Sequence, residues 1–192
     1  RSCWLIMNDF VRELSALPLP VLMTLGLLFA ALLLYAVLGG ADYGGGVWDL
    51  LASGPRSQQQ RRLIETAIGP VWEANHVWLI FMIVLLFTAF PPAFAALSTA
   101  LHIPLTLMLL GIVLRGTSFT FRQYDRQEDP VQRRWGRLFA ISSVFTPLML
   151  GICIGTISTG DIRVQDGVVA SGFLRPWLGL FPFAVGLFAI AL

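Results

Sequence analysis

The sequence predicts an all-α fold, a polytopic bundle of transmembrane helices with about five spans in its 192 residues. Hydrophobic residues make up 56% of the chain and charged residues only 12%, a composition outside the range of ordinary globular domains. The mean hydropathy is +0.75. The apolar residues also lie in runs of about 20, the length at which a helix crosses a bilayer. We therefore expect an integral membrane protein.

Five apolar runs are long enough to cross a bilayer, and we expect them to form one transmembrane domain over residues 1–192. Pro91 and Pro92 separate the second run from the third, because proline cannot continue a helix. The last run continues to Leu192, so we expect a chain truncated at its C-terminus. Met7 is a plausible start. We expect no secretory signal peptide, because the first apolar run is too long for one. The predicted spans are residues 19–39, 74–91, 93–114, 137–158 and 173–192.

The distribution of arginine predicts how the bundle is oriented. All 13 formal cations are arginines, of which nine lie within residues 50–72 and 115–137 and four elsewhere. The positive-inside rule puts these two segments in the cytoplasm and the N-terminus outside. The net charge is only +2, so we expect no nucleic-acid partner. Cys3 and Cys153 are too far apart in sequence to indicate a disulfide framework or a metal site.

The segment GGADYGGGVWDLL, residues 39–51, follows the first predicted span. Gly40 and Gly44 are four residues apart, the spacing at which small residues let membrane helices approach closely. Packing alone leaves Asp42 unexplained. Ionisable groups at membrane depth usually face the interior of a bundle or a water-filled path.

The segment GPVWEANHVWLIF, residues 69–81, places Glu73 and His76 on one helix face. Two explanations stay open. Glu73 follows Pro70 and would lie in the first turn of a helix, where a carboxylate compensates the macrodipole. Alternatively, Glu73 exchanges protons at the mouth of an intramembrane path, with Asn75 and His76 as polar neighbours.

Other polar residues have simpler explanations. Along antiparallel helices His76 and His102 would lie at different levels, so we expect no haem between them, and His102 before Pro104 indicates a kink. Arg115 and Arg122 are seven apart in LRGTSFTFR. They either anchor the membrane interface by snorkelling or pair with Glu73 or Asp42.

These two segments, together with AFPPAFAALSTALHIPLTLMLLGIVLRG and TSFTFR, resemble subunit II of the cytochrome bd-type quinol oxidases over about residues 19–158. Members of that family are about twice as long and have about eight membrane helices. The resemblance implies a bacterial cytoplasmic-membrane complex that oxidises quinol and reduces dioxygen to water. It also implies that haem b, haem d and the quinol site belong to subunit I. Subunit II, with no cofactor or metal of its own, stabilises subunit I and lines a cytoplasmic proton path.

By this resemblance, Trp72 and Glu73 match the family's Trp–acid pair, and Glu73 is the acid through which protons enter. Gly39 replaces the first acid of the family's glycine motif, whereas Asp42 keeps the second. Thr120 stands where the family often has an acid. We expect Asp42 to face a hydrated pocket near Glu73. The expected functional residues are Glu73, Trp72, Asp42 and His76, and the expected structural residues are Gly40, Gly44, Asn75, Arg115 and Arg122.

Two other functions fit the same features. A proton- or ion-coupled transporter also has glycine-interrupted helices and intramembrane carboxylates. A purely structural membrane anchor would tolerate neutral substitutions at Glu73 and Asp42. The expected partners are subunit I, small accessory subunits and the lipid bilayer.

Overall fold

The computed structural model describes residues 12–13, 15–124, 130–165, 168–170, 174 and 176–191, and their side chains except those of 122–133 and 168. These ranges contain six helices and one short β-hairpin, in which Val164 of β1 pairs with Val169 of β2. The predicted all-α membrane bundle is confirmed. The elements are α1 (Leu19–Leu51), α2 (Ser57–Ala89), α3 (Pro91–Ala100), α4 (His102–Tyr124), α5 (Pro130–Thr159), β1 (Val164–Gln165), β2 (Val168–Val169) and α6 (Leu180–Ala191).

Helix α1 extends well beyond the predicted span 19–39. It continues through the glycine-rich segment to Leu51, for 33 residues in all. Each glycine inside a helix costs about 1 kcal/mol relative to alanine. Close packing offsets this cost, because Gly45 lies against Ile68 of α2 and Gly46 against Ser143 of α5. Gly54, with φ of +82°, then turns the chain into α2.

Helix α2 begins at Ser57, so most of the polar segment predicted as a loop is helical. The reason is local: the segment QQQRRLIETAI is rich in residues with high helix propensity. Pro70 is therefore inside the helix and not in its first turn. Glu73 lies several turns from the helix start, so the macrodipole explanation for this carboxylate is wrong.

The predicted span 93–114 is divided into two helices. Helix α3 ends at Ala100, and α4 begins at His102. Pro104, in the first turn of α4, has no backbone N–H, and its ring would clash with the carbonyl group of residue 100 in a continuous helix. Backbone hydrogen bonding continues across the break, since Leu101 N–H donates to the Leu97 carbonyl oxygen at 2.9 Å. The result is the kink expected beside His102.

Helices α4, α5 and α6 pack into the second part of the bundle. Met108 and Ile112 of α4 meet Met149 and Ile152 of α5 in a buried apolar cluster. Helix α6 crosses α5 with backbone against backbone. Its Gly186 Cα lies where a side chain on Gly151 would have to be.

Four of the described helical segments are long and apolar enough to cross a membrane: Leu19–Leu51, Ser57–Ala89, His102–Phe121 and Arg134–Thr159. Among the described residues of the fifth predicted span, 173–192, the structure has one helix, α6, of 12 residues. At 1.5 Å per residue, a helix of this length is about 18 Å long, shorter than the bilayer core of about 30 Å. By contrast, the 33-residue helices α1 and α2 are long enough to project beyond the core.

The packing of the glycine-rich segment predicts unequal effects of two alanine substitutions. In Gly46→Ala, the new methyl group overlaps the side chain of Ser143. We expect a loss of about 1–3 kcal/mol, since overpacking forces neighbouring atoms apart. In Gly44→Ala, the methyl group meets nothing within 4 Å, so stability is kept or slightly raised. Thermal unfolding of the purified full-length protein measures both, and equal midpoints for the two variants would contradict this packing.

Candidate functional site

The centre of the bundle is an ion pair between Arg115 of α4 and Asp42 of α1. Arg115 is 1% exposed and Asp42 is 0% exposed. Arg115 Nη1 donates to Asp42 Oδ2 at 2.8 Å, and Nη2 lies 2.8 Å from Oδ1. Nη2 directs its hydrogen bond to the backbone carbonyl oxygen of Asp42, at 2.6 Å. Oδ1 is therefore in ion-pair contact with the guanidinium group but accepts no hydrogen bond from the described residues.

Two more helices complete this network. Arg115 Nε donates to Ser143 Oγ of α5 at 2.9 Å. Asn75 Nδ2 of α2 donates to Asp42 Oδ2 at 3.3 Å. The guanidinium group also lies over the rings of Tyr43 and Phe139, 4.9 and 4.8 Å from their centroids. Side chains from α1, α2, α4 and α5 therefore meet around one buried carboxylate.

This geometry decides between the explanations offered for the two arginines. Snorkelling does not describe Arg115, because its guanidinium group is buried in the bundle. The structure pairs Arg115 with Asp42, one of the two carboxylates considered for it. The side chain of Arg122 lies outside the described residues.

Asp42 does not lie where we expected. Instead of facing a hydrated pocket beside Glu73, its carboxylate is fully buried and engaged by Arg115 and Asn75. Removing one member of a buried pair typically costs about 3–5 kcal/mol. The arrangement is suited to joining helices.

The segment around Glu73 faces two ways. Asn75 points into the bundle and is 1% exposed, whereas Glu73, two residues away and so about 200° around the helix, is exposed. Trp72 packs between these directions, with its ring centroid 5.9 Å from that of Phe119 and 4.7 Å from that of His76. The site is thus divided between a buried structural side and an open acidic side.

The hydrogen bond of His76 indicates which of its nitrogens carries the proton. His76 Nδ1 lies 2.9 Å from the backbone carbonyl oxygen of Trp72. A carbonyl oxygen only accepts, so Nδ1 is the donor, and in the neutral imidazole Nε2 is left as a proton acceptor. Two further buried atoms, Trp72 Nε1 and Asn75 Oδ1, have no hydrogen-bond partner within the described part of the chain.

The two histidines lie on different helices, and each directs its Nδ1 at a nearby backbone carbonyl oxygen: His76 at that of Trp72, at 2.9 Å, and His102 at that of Thr99, at 3.1 Å. The residues that the structure describes also include no group of three His, Cys, Asp or Glu side chains placed to hold a metal.

Of the two glycines selected from the sequence, Gly44 has open space where a side chain would be, and both Gly40 and Gly44 line a groove between α1 and α2. Close contacts in this segment come from Gly45 and Gly46. Sequence reasoning also missed Ser143, although a hydroxyl residue in the apolar run of α5 was a signal for a polar partner.

The ion pair predicts non-additive effects of substitution. Asp42→Asn and Arg115→Met each leave an unmatched polar or charged group in the bundle, so each should lower the free energy of unfolding by about 3–5 kcal/mol. The double variant removes both charges, and its loss of unfolding free energy should be clearly smaller than the sum of the losses in the two single variants. Chemical or thermal unfolding of the purified full-length protein measures the cycle. Strictly additive losses would contradict a direct pair.

Comparison with known proteins adds to this geometry. The chain is 31% identical over 123 residues to the cytochrome bd ubiquinol oxidase subunit 2 of Bacillus subtilis, covering 64% of this chain and 36% of the relative. It is 30% identical over 126 residues to the cytochrome bd-I ubiquinol oxidase subunit 2 of Escherichia coli K12, covering 66% of this chain and 32% of that protein. The match thus spans about a third of the length of these curated relatives.

The match to a family model extends further along the chain than either pairwise match. The model for cytochrome bd terminal oxidase subunit II matches residues 19–192, from the start of α1 to the last residue. Since this match covers nearly the whole bundle, the chain belongs to the cytochrome bd terminal oxidase subunit II family.

Proposed function

We propose that this chain is part of subunit II of a terminal quinol oxidase that reduces dioxygen to water in a bacterial cytoplasmic membrane. Its partner, subunit I, carries haem b, haem d and the quinol site. The single observation that supports this proposal most strongly is the family match over residues 19–192. The arginine-rich ends of α2, α4 and α5 lie in the cytoplasm and the N-terminus outside, in keeping with the positive-inside rule.

The outer face of α2 supports contact with subunit I. Only 6% of the residues in the most apolar stretch of this helix are buried within the described part of the chain. A row of exposed side chains runs along one face of α2 at alternating spacings of four and three residues, which is typical of a helix-packing seam. The row consists of Glu73, Val77, Ile80, Val84 and Phe87.

The position of Glu73 in this row favours a protein neighbour over lipid. A carboxylate directed at lipid chains is costly, and such groups usually face protein or a water-filled path. If subunit I covers this face, it buries the apolar row and also separates Glu73 from the lipid chains. The chain then stabilises subunit I through α2, and the polar end of the interface lies at Glu73.

Glu73 is the residue that takes up cytoplasmic protons in this proposal. Two groups nearby on α2 can donate or accept hydrogen bonds: His76 Nε2 as an acceptor and Trp72 Nε1 as a donor. Alternating donors and acceptors are what water molecules need in order to pass protons along a chain. Asp42 has a structural role here, since its carboxylate is already paired with Arg115.

The proposal predicts separate effects on turnover and on haem content. Glu73→Gln keeps the size of the side chain but cannot exchange a proton, so quinol-driven oxygen uptake should fall by about a hundredfold or more, the lower end of the range for a lost acid–base group. Haem content, read from the reduced-minus-oxidised spectrum, should stay at the wild-type level, because the bundle does not depend on this exposed side chain.

Glu73→Asp is the matched control, since it keeps a carboxylate and should recover a large part of the turnover. Full turnover in Glu73→Gln would remove Glu73 from the proton path. Equal losses of haem and turnover would instead indicate a role in assembly.

A further inference from the structure

A groove of about 880 Å³ opens between the C-terminal part of α1 and the first turns of α2, which contain Arg61 and Arg62. Its floor consists of the small residues of α1, and its other wall consists of aliphatic residues of α2, chiefly Leu63, Ala67 and Val71. Trp48 and Leu63, at its edges, are 68% and 74% exposed. The residues described as lining it carry no charge. The groove is therefore an apolar slot whose volume lies in the range of small-molecule sites, about 300–1,000 Å³.

Positive charge lies at one end of this slot. Ala52 lines the slot, and its backbone carbonyl oxygen accepts a hydrogen bond of 3.3 Å from Arg61 Nη2. Arg61 Nε is buried and has no hydrogen-bond partner among the described residues. Arg56 and Arg62, both exposed, are close to Arg61 in sequence. An anionic group placed here would meet the guanidinium group of Arg61.

Two described acids at this end of the bundle, Asp49 and Glu65, line a neighbouring small cavity together with Phe119 and Phe139. Neither acid lines the slot, although Ile64 and Ile68 border both spaces. Arg61 contacts the lining of the slot through Ala52, and its charge is positive.

We propose that this slot binds an anionic phospholipid, with its phosphate group at Arg61 and an acyl chain along Ala67 and Val71. The slot matches both parts of such a molecule, since its wall is apolar and its end is cationic. A free phosphate ion would gain nothing from the apolar wall, and a zwitterionic lipid would gain less from the arginines. Basic pockets between transmembrane helices bind anionic lipid headgroups in the same way. The exposed Trp48 indole is typical of the membrane interface, where the phosphate groups lie.

The test uses the full-length protein purified together with the subunit that accompanies it. Native mass spectrometry counts the lipids retained after transfer from nanodiscs of phosphatidylglycerol or of phosphatidylcholine. Wild-type protein should retain phosphatidylglycerol in preference to phosphatidylcholine by about fivefold or more, the effect of about one basic residue near an anionic lipid. Arg61→Gln should remove this preference. Ala67→Phe, which fills the slot, should remove the bound lipid of either type.

Arg12→Gln is the control, because Arg12 is exposed and lies near the other end of α1. It should leave the preference for phosphatidylglycerol unchanged. The proposal is overturned if Arg61→Gln retains the preference, if Arg12→Gln loses it equally, or if inorganic phosphate displaces the lipid. Loss of the accompanying subunit from Ala67→Phe would also overturn it, since the slot would then be a contact between proteins.

Discussion

The buried pair of Asp42 and Arg115 is the interaction on which the rest of the bundle depends. It joins α1 to α4 directly, and Asn75 and Ser143 bring α2 and α5 to the same point. Hydrophobic burial cannot specify the positions of helices in a membrane, because lipid chains are as apolar as the side chains. A charged pair with several hydrogen bonds can do so, because it is satisfied in only one arrangement of the four helices.

The same network explains how α2 serves two purposes. With Asn75 held against Asp42, the helix cannot rotate, and Glu73 is directed outward with the apolar row from Val77 to Phe87. The glycine-rich end of α1 contributes to this, because Gly45 and Gly46 allow the close approach of α2 and α5. Asp42 and Glu73, two acids near one membrane level, thus have different environments. Asp42 holds the bundle together, and we propose that Glu73 meets a partner subunit and takes up protons.

Hydropathy and composition were sufficient to predict an all-α membrane bundle, and the cost of an ionisable group at membrane depth was sufficient to select Asp42. The pairing itself was not predictable, because Asp42 and Arg115 are 73 residues apart and Glu73 was an equally suitable partner by residue type. The start of α2 at Ser57 was missed because its first turns are polar and lie outside the apolar run. The described residues 176–179, inside the fifth predicted span, precede α6 and are not helical, which an apolar run alone does not reveal.

The most direct test is quinol-driven oxygen uptake, with a reduced-minus-oxidised spectrum, in membranes that contain the full-length protein and the haem-bearing subunit. We expect haem d absorbance and oxygen uptake when both chains are present, and the loss of both when the gene for this chain is omitted. A haem signal and uptake that are unchanged without this chain would contradict its role as an oxidase subunit, and so would the absence of both signals when the two chains are present together.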